Sequence, residues 1–448
     1  MAVEVQYCSS MYSSHSHNVN IPNNKLHFKN QISSTINKLS FIVIGAGLIG
    51  PRHASHIVSR PDCTLFAIVD HSANGPKVAN TYNTRLFKNL QELFDYCELY
   101  NTPLPNAAII ATPNHTHLSL GMELANKGIH ILMEKPLAPT AIECKTLMTY
   151  CQMKRVILLV GHHRRFNPYI VSTKNNLHRL GQIIAVQGCW TLCKPDKYFQ
   201  EKPWRSSKEK GGGTLLINLI HDLDLLQYLL GPIEKVYAEL LLKQRTITDS
   251  DGDQVDYEDL VDEGAALTIK FANGCCGTFI CSDNVTSPFL FEIGTGENPT
   301  IPFNDSIAGF YRIFGSKGTL SLPDLQLYHQ YTEEESSWLN PVSVDQISLD
   351  QNCCKKTNDN QYGNLTPSPS PDTRIDFDSK PKPFDLQLDH FVQLINGTET
   401  DIKCSGEDAL RALLCIDAVL KSIETGIPQF VNDLETISID YEVLKSFV

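Results

Sequence analysis

The stretch ILMEKPLAPT, Ile131 to Thr140, is an apolar run of strand character that ends on Glu134 and Lys135 and meets Pro136 at once. Charge buried without a partner is costly, so a charged pair at a strand end points to a cleft. An ammonium there can hydrogen-bond a ligand oxygen and stabilise negative charge developing on it. The proline fixes the backbone beside it and can take the cis form. Two other strand ends are equally polar: ATPNHTH, Ala111 to His117, and GHHRRFNP, Gly161 to Pro168. Thr112, Pro113, Asn114, His117 and Glu134 are candidates for lining a cofactor, and Arg164 and Asn167 for meeting a substrate.

A second source of chemistry is GGGTLLINLIHDLDLLQYLLGP, which Gly231-Pro232 ends. At the α-helical spacing, Leu216, Leu219, Ile220, Leu223, Leu226 and Leu230 share one apolar face. His221 points away from the centre of that face, with Asp224 and Tyr228 close to it in angle. A histidine with an unperturbed pKa near 6.5 suits proton transfer at neutral pH. Lys194, Tyr198, Trp204 and Arg205, in KPDKYF and WR, precede the glycine run and join Asn218 and Asp224 as substrate-side candidates. Each is equally compatible with an ordinary structural role.

GAGLIG places Gly45, Gly47 and Gly50 in G-x-G-x-x-G spacing, with Ala46, Leu48 and Ile49 between them. The first glycine makes a tight turn, the second admits a pyrophosphate to the backbone, and the third lets helix and strand pack closely. Phosphates then sit at a helix N-terminus, where free N–H groups favour anions. Asp70 ends the next strand, 25 residues after Gly45. A carboxylate there accepts hydrogen bonds from the adenosine ribose and repels a 2′-phosphate, which favours NAD over NADP. A helix N-cap is the plain alternative for Asp70.

These residues need elements to hold them. From Ser40, strand and helix alternate for about 120 residues: LSFIVIGAGLIG, PRHASHIVSR, CTLFAIVD, NLQELFDYCELY, NAAIIATP, LSLGMELANKGI, HILMEKP, TAIECKTLMTYCQMK and RVILLVGHH. That pattern predicts a doubly wound parallel sheet with helices on both faces, an α/β Rossmann domain over 39–162. After Gly161 longer strands follow one another, with a hairpin at Asn273-Gly274 and a late helix capped by Ser405 and Asp408 and stopped at Gly426. This predicts a mostly antiparallel α+β domain over 163–448.

With 448 residues and a formal net charge of −12, the chain is long enough for two or three domains and poorly suited to nucleic acid or an anionic membrane surface. No apolar stretch approaches the ~20 residues of a membrane span. The fourteen cysteines contain no C-x-x-C and suggest neither zinc nor a redox pair, so no metal is expected and a cytosol-like, reducing compartment is. Residues 1–38 are rich in Ser, Asn and His, contain no Arg, and are expected to be a disordered tail. Two insertions, 246–259 and 350–383, are expected to be disordered as well. The first carries D-x-D-x-D, but Gln254 and Leu260 occupy the positions where a calcium loop needs Gly and Glu.

Taken together, G-x-G-x-x-G near the start, E-K-P at the fourth main strand's end, and G-G-G followed by H-x-x-D resemble the glucose–fructose oxidoreductase / inositol dehydrogenase / rhizopine catabolism (Gfo/Idh/MocA) family, over about Ser40 to Val431. The resemblance implies a Rossmann domain followed by a domain with a large open-faced sheet. It implies NAD(P)-dependent oxidation or reduction of sugars, cyclitols or related polyols, and dimers or tetramers of the chain. It makes Lys135 the lysine that binds the reacting hydroxyl and His221 the acid/base histidine. Many members carry an aspartate four residues before that histidine; Ile217 stands there, beside Asn218. The competing expectation is a non-catalytic nucleotide-binding regulator of the same fold, as in the galactose-pathway repressor of yeasts. Retention of both Lys135 and His221 favours the enzyme.

Overall fold

The computed structural model describes residues 38–208, 211–245, 261–298, 300–330, 337–349 and 382–447. The N-terminal tail and the acidic D-x-D-x-D loop lie outside the described residues, as does 350–381 of the second insertion.

Six strands, β1 (Leu39–Ile44), β2 (Cys63–Val69), β3 (Arg85–Phe87), β4 (Ala107–Ile110), β5 (His130–Met133) and β6 (Leu158–Val160), form one sheet in the order β3-β2-β1-β4-β5-β6. Every pairing in it is parallel. The strands read as continuous apolar runs because both faces are covered. Ile42 and Ile44 feed one core and Phe41 and Val43 the other. The strand order reverses between β1 and β4, and ligands of such sheets bind in the crevice at that switch point. The glycine turn follows β1 there.

The second sheet contains β7 (Ile183–Thr191), β8 (Ile233–Leu240), β9 (Gly264–Phe271), β10 (Cys276–Ser282), β11 (Tyr311–Gly315), β12 (Gly318–Leu322), β13 (Gln326–His329), β14 (Ser343–Gln346) and β15 (Gln429–Phe430). Their order is β14-β13-β12-β11-β7-β10-β9-β8-β15. All neighbours are antiparallel except the central pair β7 and β10. The Asn273-Gly274 turn joins β9 to β10, with Gly274 at φ 92°. Leu223 and Leu226 of helix Ile220–Leu230 and Ile416 and Val419 of helix Gly406–Thr425 pack with Val236, Leu267 and Phe279 of the sheet. Ile184, Ile280 and Phe289 on the sheet and its flank stay exposed.

Helix Gly406–Thr425 has the expected cap: the Ser405 side chain accepts from Asp408 N, the Asp408 carboxylate returns the bond, and Gly426 closes the helix at φ 68°. Its Leu410 and Leu413 reach the core of the parallel sheet. Helix Pro383–Ile395 does the same from the other side, with Leu388 and Phe391. The expected insertion therefore ends too late at 383: Pro383 and Phe384 are buried in the first turn of that helix.

Candidate active site

The turn after β1 has the shape a dinucleotide needs. Gly45 sits at φ 99°, and a Cβ there would lie 2.6 Å from the Ala111 carbonyl oxygen. A Cβ on Gly50 would be 1.9 Å from the Gly45 oxygen. At Gly47 a Cβ would meet nothing within 4 Å, so the space over the middle of the turn is open for a pyrophosphate. Leu48 is exposed and Ile49 has no side-chain cap to offer the helix Gly50–Ser59. Asp70 supports the turn: its Oδ2 accepts from Ala46 N and its Oδ1 from Ser72 N, each at 2.6 Å. Partial burial would raise this carboxyl's pKa, but these amides and the Ser72 side chain hold it below the ordinary value. Each oxygen keeps a second lone pair for ribose hydroxyls.

β5 ends where the sequence placed the charged pair. The Lys135-Pro136 bond is cis. Glu134 is pinned: Oε1 lies 2.8 Å from His53 Nε2 on the helix after the glycine turn, and Oε2 accepts from Lys135 N at 3.3 Å. Gly161 packs so closely that a Cβ on it would be 2.8 Å from Glu134 Oε2. Lys135 Nζ donates to the Ile217 carbonyl at 3.1 Å. Burial, with Arg164 and Lys194 nearby and against the pull of Glu134, brings this ammonium down to about 8.

The histidine segment departs from a plain helix. Leu215–Leu219 is a π-helical turn and the α-helix begins at Ile220. Angles counted at 100° per residue fail across that turn. His221 is buried, and so is nearly all of its helix, Gln227 and Tyr228 excepted. Its Nδ1 is enclosed without a hydrogen-bond partner, which leaves Nε2 to meet a ligand. Burial first, then Lys135, Arg164, His163 and His162, hold its pKa well below the ordinary value. The ring is therefore neutral at pH 7. The glycine run makes the close approach possible: Gly213 is at φ 99°, and a Cβ on Gly212 would be 2.5 Å from the Arg205 oxygen. A Cβ on Gly211 would come 3.2 Å from the Asn114 side-chain nitrogen, so the run also touches the cofactor side.

On the substrate side, Lys194 Nζ donates to Asn218 Oδ1 at 2.7 Å and pairs with Asp283 at 3.0 Å. The Tyr198 ring carries Lys194 Nζ 4.9 Å and Arg205 Cζ 3.6 Å from its centroid. Trp204 is partly exposed beside them. These five stay together and can still present hydrogen-bonding and aromatic surface.

Four candidates are spent inside the framework. Arg164 Nε and Nη2 donate to Glu297 and Glu292 at 2.8 and 2.6 Å, and its guanidinium lies over the Phe291 ring. Asn167 caps the helix Pro168–Asn176, accepting from Tyr169 N, and donates to Glu297. Asp224 receives both Nε and Nη2 of Arg165 at 2.9 and 2.6 Å. His117 lies between the Pro136 and Thr112 carbonyls at 2.9 and 3.0 Å, so it ties two strand-end loops together rather than facing a cofactor. In each case a buried polar group has already found partners, although Arg164 Nη1 is left buried without a hydrogen bond, 3.7 Å from Asp222 Oδ2. Thr112 bonds Thr116, and Pro113 accepts from Thr116 N, which shapes the loop that carries Asn114.

Sequence reading missed His163, Glu292, Glu297 and Phe384. His163 stacks on Phe384 at 4.4 Å, and its Nε2 is 3.8 Å from Glu297. GHHRRFNP had flagged the strand end, but nothing in the sequence marked Glu297 or Phe384 as its neighbours.

Residues 39–162 match the oxidoreductase family's NAD-binding Rossmann fold, and 174–429 match the C-terminal alpha/beta domain of the same family. The chain belongs to the Gfo/Idh/MocA oxidoreductase family. Among curated Gfo/Idh/MocA relatives, levoglucosan dehydrogenase of Pseudarthrobacter phenanthrenivorans is 26% identical over 58% of this chain and 72% of its own. Inositol 2-dehydrogenase of Rhizobium meliloti is 26% identical over 49% and 62%. The chain spans about half the length of several others. A levoglucosan dehydrogenase solved with NADH and L-sorbose superposes with a TM-score of 0.67 at 20% identity, covering 89% of this chain and all of that one. The WlbA dehydrogenase from Bordetella pertussis, solved with NADH and UDP-GlcNAcA, gives 0.62 at 19% identity over 88% and 99%. At these identities the structures share the fold.

Proposed function

We propose that the protein is an NAD-dependent oxidoreductase that moves a hydride between the nicotinamide and a secondary hydroxyl or ketone of a sugar, cyclitol or related polyol. The observation that carries this reading is the meeting of a half-buried, chargeable Lys135 with a buried, neutral His221 beside an open glycine turn. When bound, NAD supplies the hydride acceptor, and the chain's own groups handle oxygen and proton. Lys135 holds the reacting oxygen and stabilises the charge that develops as its proton leaves. His221, neutral and with Nε2 free, accepts that proton. Lys194, Asn218, Tyr198, Trp204 and Arg205 orient the remaining hydroxyls. Asp70 favours NAD over NADP by meeting the ribose where a 2′-phosphate would stand.

The two shifts define a pH window. Lys135 is charged below about 8 and loses that charge above it. His221 stays neutral until the pH falls well below 6.5. The rate is thus expected to be level through neutrality and to fall on an alkaline limb near pH 8. A panel of sugars, inositols and aldonates assayed with NAD and NADP tests the reading. NAD binding without turnover on any of them would favour a regulator instead.

The exposed sheet face around Ile184, Ile280 and Phe289 suits a second copy of the chain, giving a dimer or tetramer. Analytical ultracentrifugation returning a monomer mass at micromolar concentration would remove that part.

A further inference from the structure

His221 must lose, in every turnover, the proton it gains. Its imidazolium is disfavoured by burial and by Lys135 and Arg164, so the proton needs an exit. The position where related chains carry a carboxylate is Ile217, whose carbonyl serves Lys135 instead. Asn218 binds Lys194 and cannot carry a proton as a carboxylate would.

Two rings stand against His221. His162 is 6.4 Å away between centroids and His163 is 5.7 Å away, both near perpendicular. Their surroundings differ. His162 is 1% exposed and shut off from solvent; its Nδ1 lies 3.6 Å from Asp224 Oδ2, an oxygen Arg165 already holds, and burial first, with Arg165 and Lys135, outweighs that carboxylate and opposes charge on the ring. His163 is 15% exposed, and its Nε2 is 3.8 Å from Glu297, a carboxylate held ionised by Arg164. Glu134, ionised beside His53, also feels His163 electrostatically. Phe384 stacks flat on the His163 ring and holds it toward His221. The charged and titratable groups facing His163 are thus Glu297 and Glu134 on the negative side, Arg164 on the positive, and His221 itself.

We propose that His163 is the proton exit of the site, taking from His221 the proton that the substrate hydroxyl released. This rests on the dehydrogenase reading above. The C–H bond yields its electron pair as hydride to NAD⁺, and the O–H proton goes to His221. From there it passes to His163 through one bridging water, since no hydrogen bond joins the two rings, and out to solvent. The sum is alcohol plus NAD⁺ giving ketone, NADH and H⁺. His163 does not touch substrate; it is a positioning residue that acts through His221 and replaces the missing carboxylate.

The experiment has two arms. On a verified substrate, His163→Gln is expected to lower kcat about tenfold or more, a size general acid–base steps reach, and to raise the solvent deuterium isotope effect with KM for NAD little changed. Added imidazole is expected to restore rate to His163→Ala. No change in kcat, a change confined to the KM for NAD, or the same rescue at His162→Ala instead, would overturn the proposal. The second arm needs no substrate. With 13Cε1-labelled histidine, the His221 resonance of the unmodified protein is expected to report proton uptake at His163, and to lose that pH-dependent step in His163→Gln. A His221 signal that is indifferent to the substitution would overturn it. If instead no polyol is turned over but the coupling is seen, the substrate reading has failed and the histidine pair stands.

Discussion

The two halves of the cleft are built from different materials. The cofactor half is made of backbone: a turn whose glycines touch a carbonyl, leave a gap and touch another carbonyl, with Asp70 accepting two amides to hold it. The reacting half is made of side chains from distant segments. Arg164 reaches Glu292 and Glu297, Arg165 reaches Asp224, and Tyr311 bonds Asp222. A backbone cradle tolerates no added atom but needs little charge. A side-chain network tolerates no missing partner, because each buried charge depends on its neighbour.

The sharpest break of that contrast is Lys135→Ala. Turnover is expected to fall by about two to three powers of ten, since removing a group that stabilises developing charge costs on the order of 3–4 kcal/mol. NAD affinity by fluorescence titration should change little. A parallel loss of NAD binding would show that the two halves are not separate. Next comes Arg164→Met, which leaves the buried side chains of Glu292 and Glu297 without their guanidinium and should destabilise the fold by about 3–5 kcal/mol in urea unfolding. An unchanged midpoint would mean solvent reaches Glu292 and Glu297.

Gly50→Ala attacks the other half. Its Cβ would meet the Gly45 oxygen at 1.9 Å, so the turn must shift. NAD affinity is expected to drop about a hundredfold while the melting temperature moves far less; backbone misplacement of about an ångström has effects of that order. Full affinity would show the turn has room to relax. The smallest expected effect is at Asp70→Ser. Losing a charged acceptor is worth about 1.5–3 kcal/mol, so the preference for NAD over NADP should narrow about tenfold. Equal affinities in the unmodified protein would remove the claim's basis.

Legibility in the sequence followed the same division. The parallel sheet was readable because strands buried on both faces are apolar throughout and alternate with helices. The glycine turn was readable because backbone constraints leave their mark in residue type at short spacing. Lys135 and His221 stood out as candidates, since a charge at an apolar strand's end and a histidine in a leucine-rich helix are both out of place locally. Their partners were not. Glu297 lies 133 residues from the arginine it binds, and no local pattern encodes that distance. Asp224 and Asn167 looked available because a sequence shows a polar group but not whether it is already satisfied. The burial of His221 was hidden for a different reason: Asp222 and Asp224 on the polar side of its helix are buried as well, and nothing in LLINL announces the five residues of wider helix that lead into it.

That wide turn has a consequence for heredity. It sets the phase between the carbonyl that holds Lys135 and the ring that faces it. A single lost codon between Leu215 and Leu219 would tighten the turn and swing the following residues round the helix axis by about a quarter of a circle or more. Lineages of this protein should therefore drift in side chain along that stretch far more freely than in length.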